Sequence, residues 1–543
     1  MKKFYSVLIS FVFAFIFLFS PQLLKAETIG ERVDAWFQPI ANWWEGFVLT
    51  TIPIGEYNVP LVVILLVAGA SFFTLYFQFP NITRFWTAVN TVRGKYDDLD
   101  HHSPEKAEVN IVDEDIKGTI KDESKEGEVS HFQALATAVS GTVGLGNIAG
   151  VAVAIALGGP GATFWMIVCG LLGMSSKFVE CTLGVKYRDV GPDGTVYGGP
   201  MYYLSKGLGE QGFATLGKFL GILFAVMCVG ASFGGGNAFQ SNQAAAQLST
   251  LIGLDFSAGF WIGVVLAAIV GVVIIGGIKR IANVTEKIVP FMAVVYVAAA
   301  LIIIFYHFSY IDDAFGLIIS GAFTPMAGLG GILGVIIIGF QRAAFSNEAG
   351  AGSAAIAHSA VKTKYPASEG IVALLEPFID TVLICTMTAL VIIFFNIDGG
   401  EYQQYFQYGG DGAGNVILKD GGAVVGGVDL TSMAFDSVIP HFSYVLTIAI
   451  VLFAFSTMIS WSYYGLQSWK FLFGRGKYAD LTYKVLFLIF VVIGASTTLD
   501  AVIKFSDAMI LALVFPNMVG LFFLFPKVKE ELNRYMAAIR TSK

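Results

Sequence analysis

The sequence predicts an all-α integral membrane protein in which eleven transmembrane helices follow an N-terminal signal peptide. Three observations carry this. The 543 residues are 55% apolar and 14% aromatic but only 13% charged, too few charges to cover soluble domains of that length, so lipid is the outer solvent. The apolar residues gather in runs of about 20, the length a hydrocarbon core of about 30 Å demands. Lys and Arg fall in alternate loops, as in cytoplasmic connections.

Taken in order, residues 1–26 hold Lys2 and Lys3, an apolar run from Phe4 to Phe19, Pro21 and the small Ala26, the layout of a secretory signal peptide. Leu24 at the −3 position fits a cleavage site poorly, so an uncleaved anchor stays open. Residues 27–58, with Trp36, Trp43 and Trp44 at helical spacing, read as an external amphipathic segment at the outer interface. A leading span at 59–80 is followed by ten more, at about 132–157, 160–184, 217–250, 259–277, 287–308, 329–357, 368–395, 439–466, 482–499 and 502–525. With residue 58 outside, the inner loops hold Arg84, Arg93 and Lys95; Lys186, Arg188 and Lys206; Lys279 and Arg280; Lys362 and Lys364; Lys470, Arg475 and Lys477. Residues 526–543, with Lys527, Lys529, Arg534 and Arg540, form a cytoplasmic tail. The long outer loop near 396–438 has Lys419 alone among Asp398, Glu401, Asp411, Asp420 and Asp429. The mature N-terminus is therefore expected outside and the C-terminus inside the inner membrane of a prokaryote.

Charge and cysteine usage exclude several classes. Residues 95–130 hold twelve Asp/Glu against five Lys, which accounts for the whole net charge of −7. This acidic cytoplasmic insert reads as a mobile linker or regulatory segment. The rest is neutral, so no basic face serves nucleic acid. Cys169, Cys181, Cys228 and Cys385 lie in apolar stretches without metal-ligand spacing and read as small buried hydrophobes. No cofactor motif is present, and His101, His102, His131 and His307 lie in loops or at span ends, away from any nucleophile or metal pattern of an intramembrane enzyme.

Three spans are not plain anchors. Ser140-Gly-Thr142-Val-Gly144-Leu-Gly146-Asn147-Ile-Ala-Gly150 puts four glycines and three polar side chains mid-span. Glycines ease departure from the helix, and carbonyls freed at that depth persist only where they line a cavity or coordinate something; Gly146-x-x-x-Gly150 helix packing is the alternative. Gly339 to Ser353 carries Gln341, Arg342, Ser346, Asn347 and Glu348, again suggesting unwinding with the charges turned from lipid; a span ending at Gly339 is the alternative. Phe453 to Ser462 carries four hydroxyls, suited either to bonding carbonyls one turn back or to a small hard cation. The amides of Asn237 to Gln243 either clip helices or wall a cavity. Glu376 and Asp380 read as inner-half anchors, and Lys177 with Glu180 as an (i, i+3) pair.

The first broken span opens the group 132–308 and the second opens 329–525, on opposite sides of the membrane. Two inverted five-helix repeats with interrupted first helices describe a secondary transporter. Half-helix N-termini then hold a carboxylate, carbonyls and hydroxyls hold a coupling ion, and the groups rock about the site.

Phe132-Gln-Ala-Leu135, Thr142-Val-Gly-Leu-Gly-Asn-Ile-Ala-Gly-Val-Ala152, Gly158-Gly-Pro-Gly-Ala162, Tyr197-Gly-Gly-Pro-Met-Tyr-Tyr203 and Phe345-Ser-Asn-Glu-Ala-Gly350 together resemble the alanine or glycine:cation symporter family, over about residues 59–540. The resemblance implies a LeuT-type five-plus-five inverted repeat with one extra leading helix, and import of alanine or glycine with sodium, occasionally protons. It implies a substrate site at Thr142, Gly144, Gly146, Asn147, Phe345, Ser346, Asn347, Thr457 and Trp461, the indole limiting side-chain size, with Gln240 and Asn242 as further members. It implies sodium at the carbonyls of Gly141 and Val143 and the hydroxyls of Ser456 and Thr457. The acidic insert and the glycine-rich outer loop at 399–428 depart from the family pattern without touching these motifs. A channel, the competing class, requires a continuous polar pore, and the sequence offers only isolated polar clusters; proton coupling is the alternative within the transporter reading.

Overall fold

A computed structural model describes residues 29–542 except 55–56, 98, 100–126, 192–193, 255–257, 325–330, 398–404 and 413. The expected signal peptide and most of the acidic insert lie outside the described residues. Among the described residues the fold is helical, with three two-stranded hairpins in the loops.

Seven helices among the described residues are long and apolar enough to cross a bilayer: Gly161–Lys186, Ala214–Ile252, Gly277–Tyr306, Pro366–Phe395, Phe442–Phe473, Lys477–Ser496 and Leu499–Thr541. His131–Thr142 and Gly146–Gly158 qualify together, bent by 50° at their junction. Three shorter apolar helices, Leu61–Tyr76, Gly259–Ile274 and Ile332–Asn347, have 16 residues each, about 24 Å of helix. All eleven segments coincide in order with the apolar runs of the sequence. Large apolar side chains such as Phe291, Val294 and Phe305 are exposed on the Gly277–Tyr306 helix, as a lipid-facing surface requires.

The amphipathic segment forms the helix Ile29–Val48 and a hairpin that pairs Thr51–Ile54 with Tyr57–Pro60. Its helix leaves Trp36 and Trp43 exposed and is tied to the last spans. Asp34 accepts from the main-chain N–H and hydroxyl of Thr498 (2.9 and 2.7 Å), Gln38 donates to Asp500 (2.7 Å), and Phe37 meets Phe505 edge-on.

Helices with corresponding places in the two halves pack on each other: Gly161–Lys186 on Pro366–Ala373, Ala214–Phe233 on Phe442–Phe473, and Gly259–Ile274 on Lys477–Ser496. Gly277–Tyr306 lies against His131–Thr142, as Leu499–Ala512 lies against Ile332–Asn347. The loops fall into two contacting sets. Lys186 pairs with Glu531 (2.5 Å), Arg475 with Asp189 (3.0 Å), and Arg188 donates to the carbonyl of Ser359 (3.0 Å); these are loops the charge pattern assigns to the cytoplasm. At the other end Asn242 donates to the Thr497 carbonyl (2.6 Å) and Gln243 accepts from Val428 N–H (2.9 Å).

Candidate functional site

The first break is built by its own sequence. Ser130 and Gln133 form a reciprocal capping box that starts His131–Thr142, satisfying two otherwise orphaned donors. The helix ends at Thr142, and a widened π-type turn, Gly146–Gly150, leads into Val151–Gly158. Between them the main chain takes partners outside the helix ladder. Gly144 N–H donates to the Asn147 side-chain oxygen (2.9 Å) and Leu145 N–H to the Gln240 side-chain oxygen (3.0 Å). Buried donors must be paired, and here two side-chain amides pair them. Only glycine fits at 144, because a Cβ there would collide with Thr457 Oγ1 and press on Gln240.

Other elements converge on this break. Thr457 Oγ1 donates to the Ser140 carbonyl (2.9 Å), Ser140 Oγ to the Ser456 carbonyl (2.8 Å), and Ser460 Oγ to Ser140 Oγ (3.1 Å). Ser456 Oγ bonds the Phe453 carbonyl one turn back (3.0 Å). Ser140 thus lies against the hydroxyl face of the Phe442–Phe473 helix, and Gly141 faces the Tyr464 ring of the same helix. The Phe345 ring lies against Gly146 and Gly235, and Trp461 covers Gly236 so closely that a Cβ there would overlap the indole.

The second break differs in place from the expectation. Ile332–Asn347 runs as regular helix through Phe345, Ser346 and Asn347, and stops at Glu348, whose φ is +56°. The non-helical stretch is 348–354, where Gly350 and Gly352 also take positive φ. Ala343, Ala344 and Phe345 sustain the helix, and the left-handed conformation, favourable for glycine, ends it. Arg342 and Glu348 are buried, as expected of charges in a bundle. Arg342 pairs with Asp507; Glu348 accepts from the Trp461 indole N–H (2.9 Å) and from the Ser353 hydroxyl.

Asp380 joins the first break to the last helical turn before the second. Its carboxylate accepts from Asn147 Nδ2 (2.6 Å), Ser346 Oγ (2.8 Å) and Thr381 Oγ1 (2.6 Å), with no exposed surface. Asn347 turns to Thr381 Oγ1 (2.9 Å).

A sequence profile described as the sodium:alanine symporter family matches residues 53–543. The chain belongs to the sodium:alanine symporter family. This is a family of transporters, and the symporter is a multi-pass membrane protein. The sodium/alanine symporter AgcS of Methanococcus maripaludis is 41% identical over 76% of this chain and 86% of its own length. The sodium/proton-dependent alanine carrier protein of Bacillus sp. strain PS3 is 32% identical over 77% and 91%. The probable sodium/glutamine symporter GlnT of Bacillus subtilis is 34% identical over 75% and 78%. Among solved structures, MhsT in complex with L-phenylalanine aligns with 74% of the chain and all of its own at 15% identity and a TM-score of 0.47.

In the symporter, Thr142, Gly144, Gly146, Asn147, Gln240, Phe345, Ser346, Thr457 and Trp461 gather at the break. Asn242 stands apart: it donates to the Gly494 (3.1 Å) and Thr497 (2.6 Å) carbonyls and lines an outer cavity. Asn237 likewise clips to the Phe487 carbonyl (2.7 Å), so of these amides Gln240 alone serves the Val143–Leu145 main chain. Lys177 does not pair with Glu180; it pairs with Glu376 (3.1 Å), while Glu180 accepts from Asn517 (2.9 Å). His358 lies between Glu369 (2.5 Å) and Glu376 (3.5 Å), and His131 also bonds Glu369. These buried partners compensate the charges. Sequence reasoning missed Asp380 as a member of the site; its only local signal was an acidic residue beside Thr381 in an apolar span.

Proposed function

We propose that the protein imports small neutral amino acids, alanine and/or glycine, coupled to sodium, by alternating access across the inner membrane. The observation that carries this is the pair of main-chain N–H groups at Gly144 and Leu145, held by the side-chain oxygens of Asn147 and Gln240. Two amide oxygens on adjacent N–H groups mimic the two oxygens of a carboxylate. A substrate carboxylate can take the same donors once the two amide oxygens give them up, Asn147 pivoting on its Nδ2 contact with Asp380 and Gln240 on its contact with the Gly235 carbonyl. Phe345 and Trp461 form the apolar side, the indole packed on Gly236 and the phenyl ring on Gly146, so a substrate side chain beside them must be small. Thr457, Ser456 and the carbonyls of Gly141 and Val143 supply the oxygen ligands a sodium ion prefers.

Counting the bent pair and the three 16-residue helices as spans gives eleven. The exchange-symmetric packing of the groups 132–308 and 329–525 supports an inverted repeat behind the leading helix 59–80, and hence rocking of one group against the other. The expected division places 1–26 as signal peptide, 27–58 outside, and the 95–130 insert and 526–543 tail in the cytoplasm. Kinship with a sodium/alanine symporter and with a sodium/proton-dependent alanine carrier supports both substrate and ion. Asp380, buried among three donors, gives the proton-coupled reading its specific support, since a carboxylate there can take a proton in place of a cation.

Alanine counterflow in proteoliposomes tests the function. Sodium-stimulated exchange of labelled alanine and glycine is expected, and conduction without exchange would assign a channel instead. Replacing sodium by a proton gradient separates the two couplings.

A further inference from the structure

The glycine-rich outer loop, which the central site leaves unused, walls a cavity of about 680 Å³, well inside the range of small-molecule sites. The floor is the helix Gly427–Asp436, whose Thr431 hydroxyl donates to the Ile148 carbonyl (3.2 Å) in the widened turn of the first break. The cavity thus stands directly outside the site, on the end that loop charge assigns to the exterior. The hairpin of Asn415–Ile417 with Val424–Gly426 closes one flank, and the C-terminal turns of Ala214–Ile252 close another.

Its polar groups are unbalanced. Asp429 and Asp436 line it, and none of its described lining residues is Lys or Arg. Gln247 is 2% exposed and lines it too; its amide nitrogen is spent on Ser432 (3.2 Å) and Thr447 (3.0 Å), while its oxygen has no hydrogen-bond partner. Asp429 Oδ1 is a second buried acceptor without a partner. Asp436 is used by Ser443 N–H (2.7 Å), and His441 stands at the exposed margin. Unmatched acceptors leave hydrogen-bonding capacity that only a donor or a cation can fill. An ammonium group, with donors and no acceptor, meets that demand; a carboxylate would add to the mismatch.

We propose that this cavity is an outer holding site for a small monovalent cationic group, the ammonium end of an incoming amino acid or a sodium ion, with Asp429 and Gln247 as its oxygen ligands. The proposal rests on the transport reading above. Burial raises the Asp429 carboxyl above its ordinary range, while a hydrogen bond from Thr250 opposes the rise; a bound cation would restore the charged form.

The test uses the full-length protein in proteoliposomes with Asp429→Asn and Asp429→Glu. Asp429→Asn is expected to raise a KM by about three- to tenfold, the worth of one partly screened charge contact, with recovery in Asp429→Glu. An increase in the alanine KM at saturating sodium assigns the ammonium group, and one in the sodium KM at saturating alanine assigns the ion. Wild-type exchange together with unchanged values of both in Asp429→Asn would overturn the outer site alone; no exchange by the wild type would overturn the transport reading itself. Should Asp429→Asn fail to insert, Met433→Cys reads the same cavity, because the four native cysteines are buried. A cationic methanethiosulfonate should then label it about tenfold faster than an anionic one, slowed by alanine or sodium. Equal rates insensitive to both would overturn the proposal.

Discussion

The two breaks solve the same problem with opposite chemistry. At Val143–Leu145 the freed main chain is held by neutral amides, Asn147 and Gln240, whose bonds can be exchanged for a solute. At 348–354 the stop is fixed by carboxyl groups: Glu348 binds Trp461 and Ser353, and Asn517 bridges Glu180 and the Gly350 carbonyl (2.9 and 2.8 Å). Neutral hydrogen bonds contribute about 1 kcal/mol each and charged ones about twice that. The first break is therefore suited to open for a ligand, and the second to hold the helix end and the indole beside it. Asp380 couples them.

Breaking that coupling should have the largest effect. Asp380→Ala removes the acceptor of Asn147 and Ser346 together; two charge-assisted bonds at about 1.5 kcal/mol each predict a loss near a hundredfold in alanine kcat/KM, measured by counterflow. A variant within about threefold of wild type would uncouple the breaks.

Glu348→Gln keeps an oxygen for the Trp461 indole but removes the carboxyl group from the second break. About a tenfold fall in rate is expected, with selectivity retained, measured by uptake of alanine against larger neutral amino acids. Trp461→Ala should instead alter selectivity: alanine kcat/KM drops about fivefold while larger side chains gain, as a methylene-scale pocket change allows. If the glutamine variant broadened specificity and the alanine variant did not, the roles assigned to the two breaks would be reversed.

Thr457→Val removes one hydroxyl from the side of the first break, with an expected rise of about threefold in the sodium KM. Deletion of 100–126, which carries none of the site motifs, should leave uptake within about twofold. The chain on its far side is already tied down, since Glu128 N–H donates to the Ala360 carbonyl (2.8 Å) and Lys362 N–H to the Val129 carbonyl (2.8 Å).

The spans and the first break were legible because their signals are local: apolar runs, alternating loop charge, and four glycines among polar residues in Ser140 to Gly150. Gly350 and Gly352 marked the second break, but its start at Glu348 depends on a left-handed backbone that a non-glycine residue does not advertise. The partners of Asp380 and Lys177 were illegible for another reason. Asn147 lies 233 residues from Asp380, and Glu376 lies 199 from Lys177; helical spacing instead offered Glu180, a neighbour the fold gives to Asn517. Among the amides, composition alone could not separate the helix clips Asn237 and Asn242 from Gln240, which meets the break.

A map of the protein with sodium and alanine at side-chain resolution tests the central claim most directly. The alanine carboxylate should lie within about 3 Å of the main-chain nitrogens of Gly144 and Leu145, with Asn147 and Gln240 turned away. A map in which alanine binds elsewhere while both amide oxygens keep those two donors would contradict it.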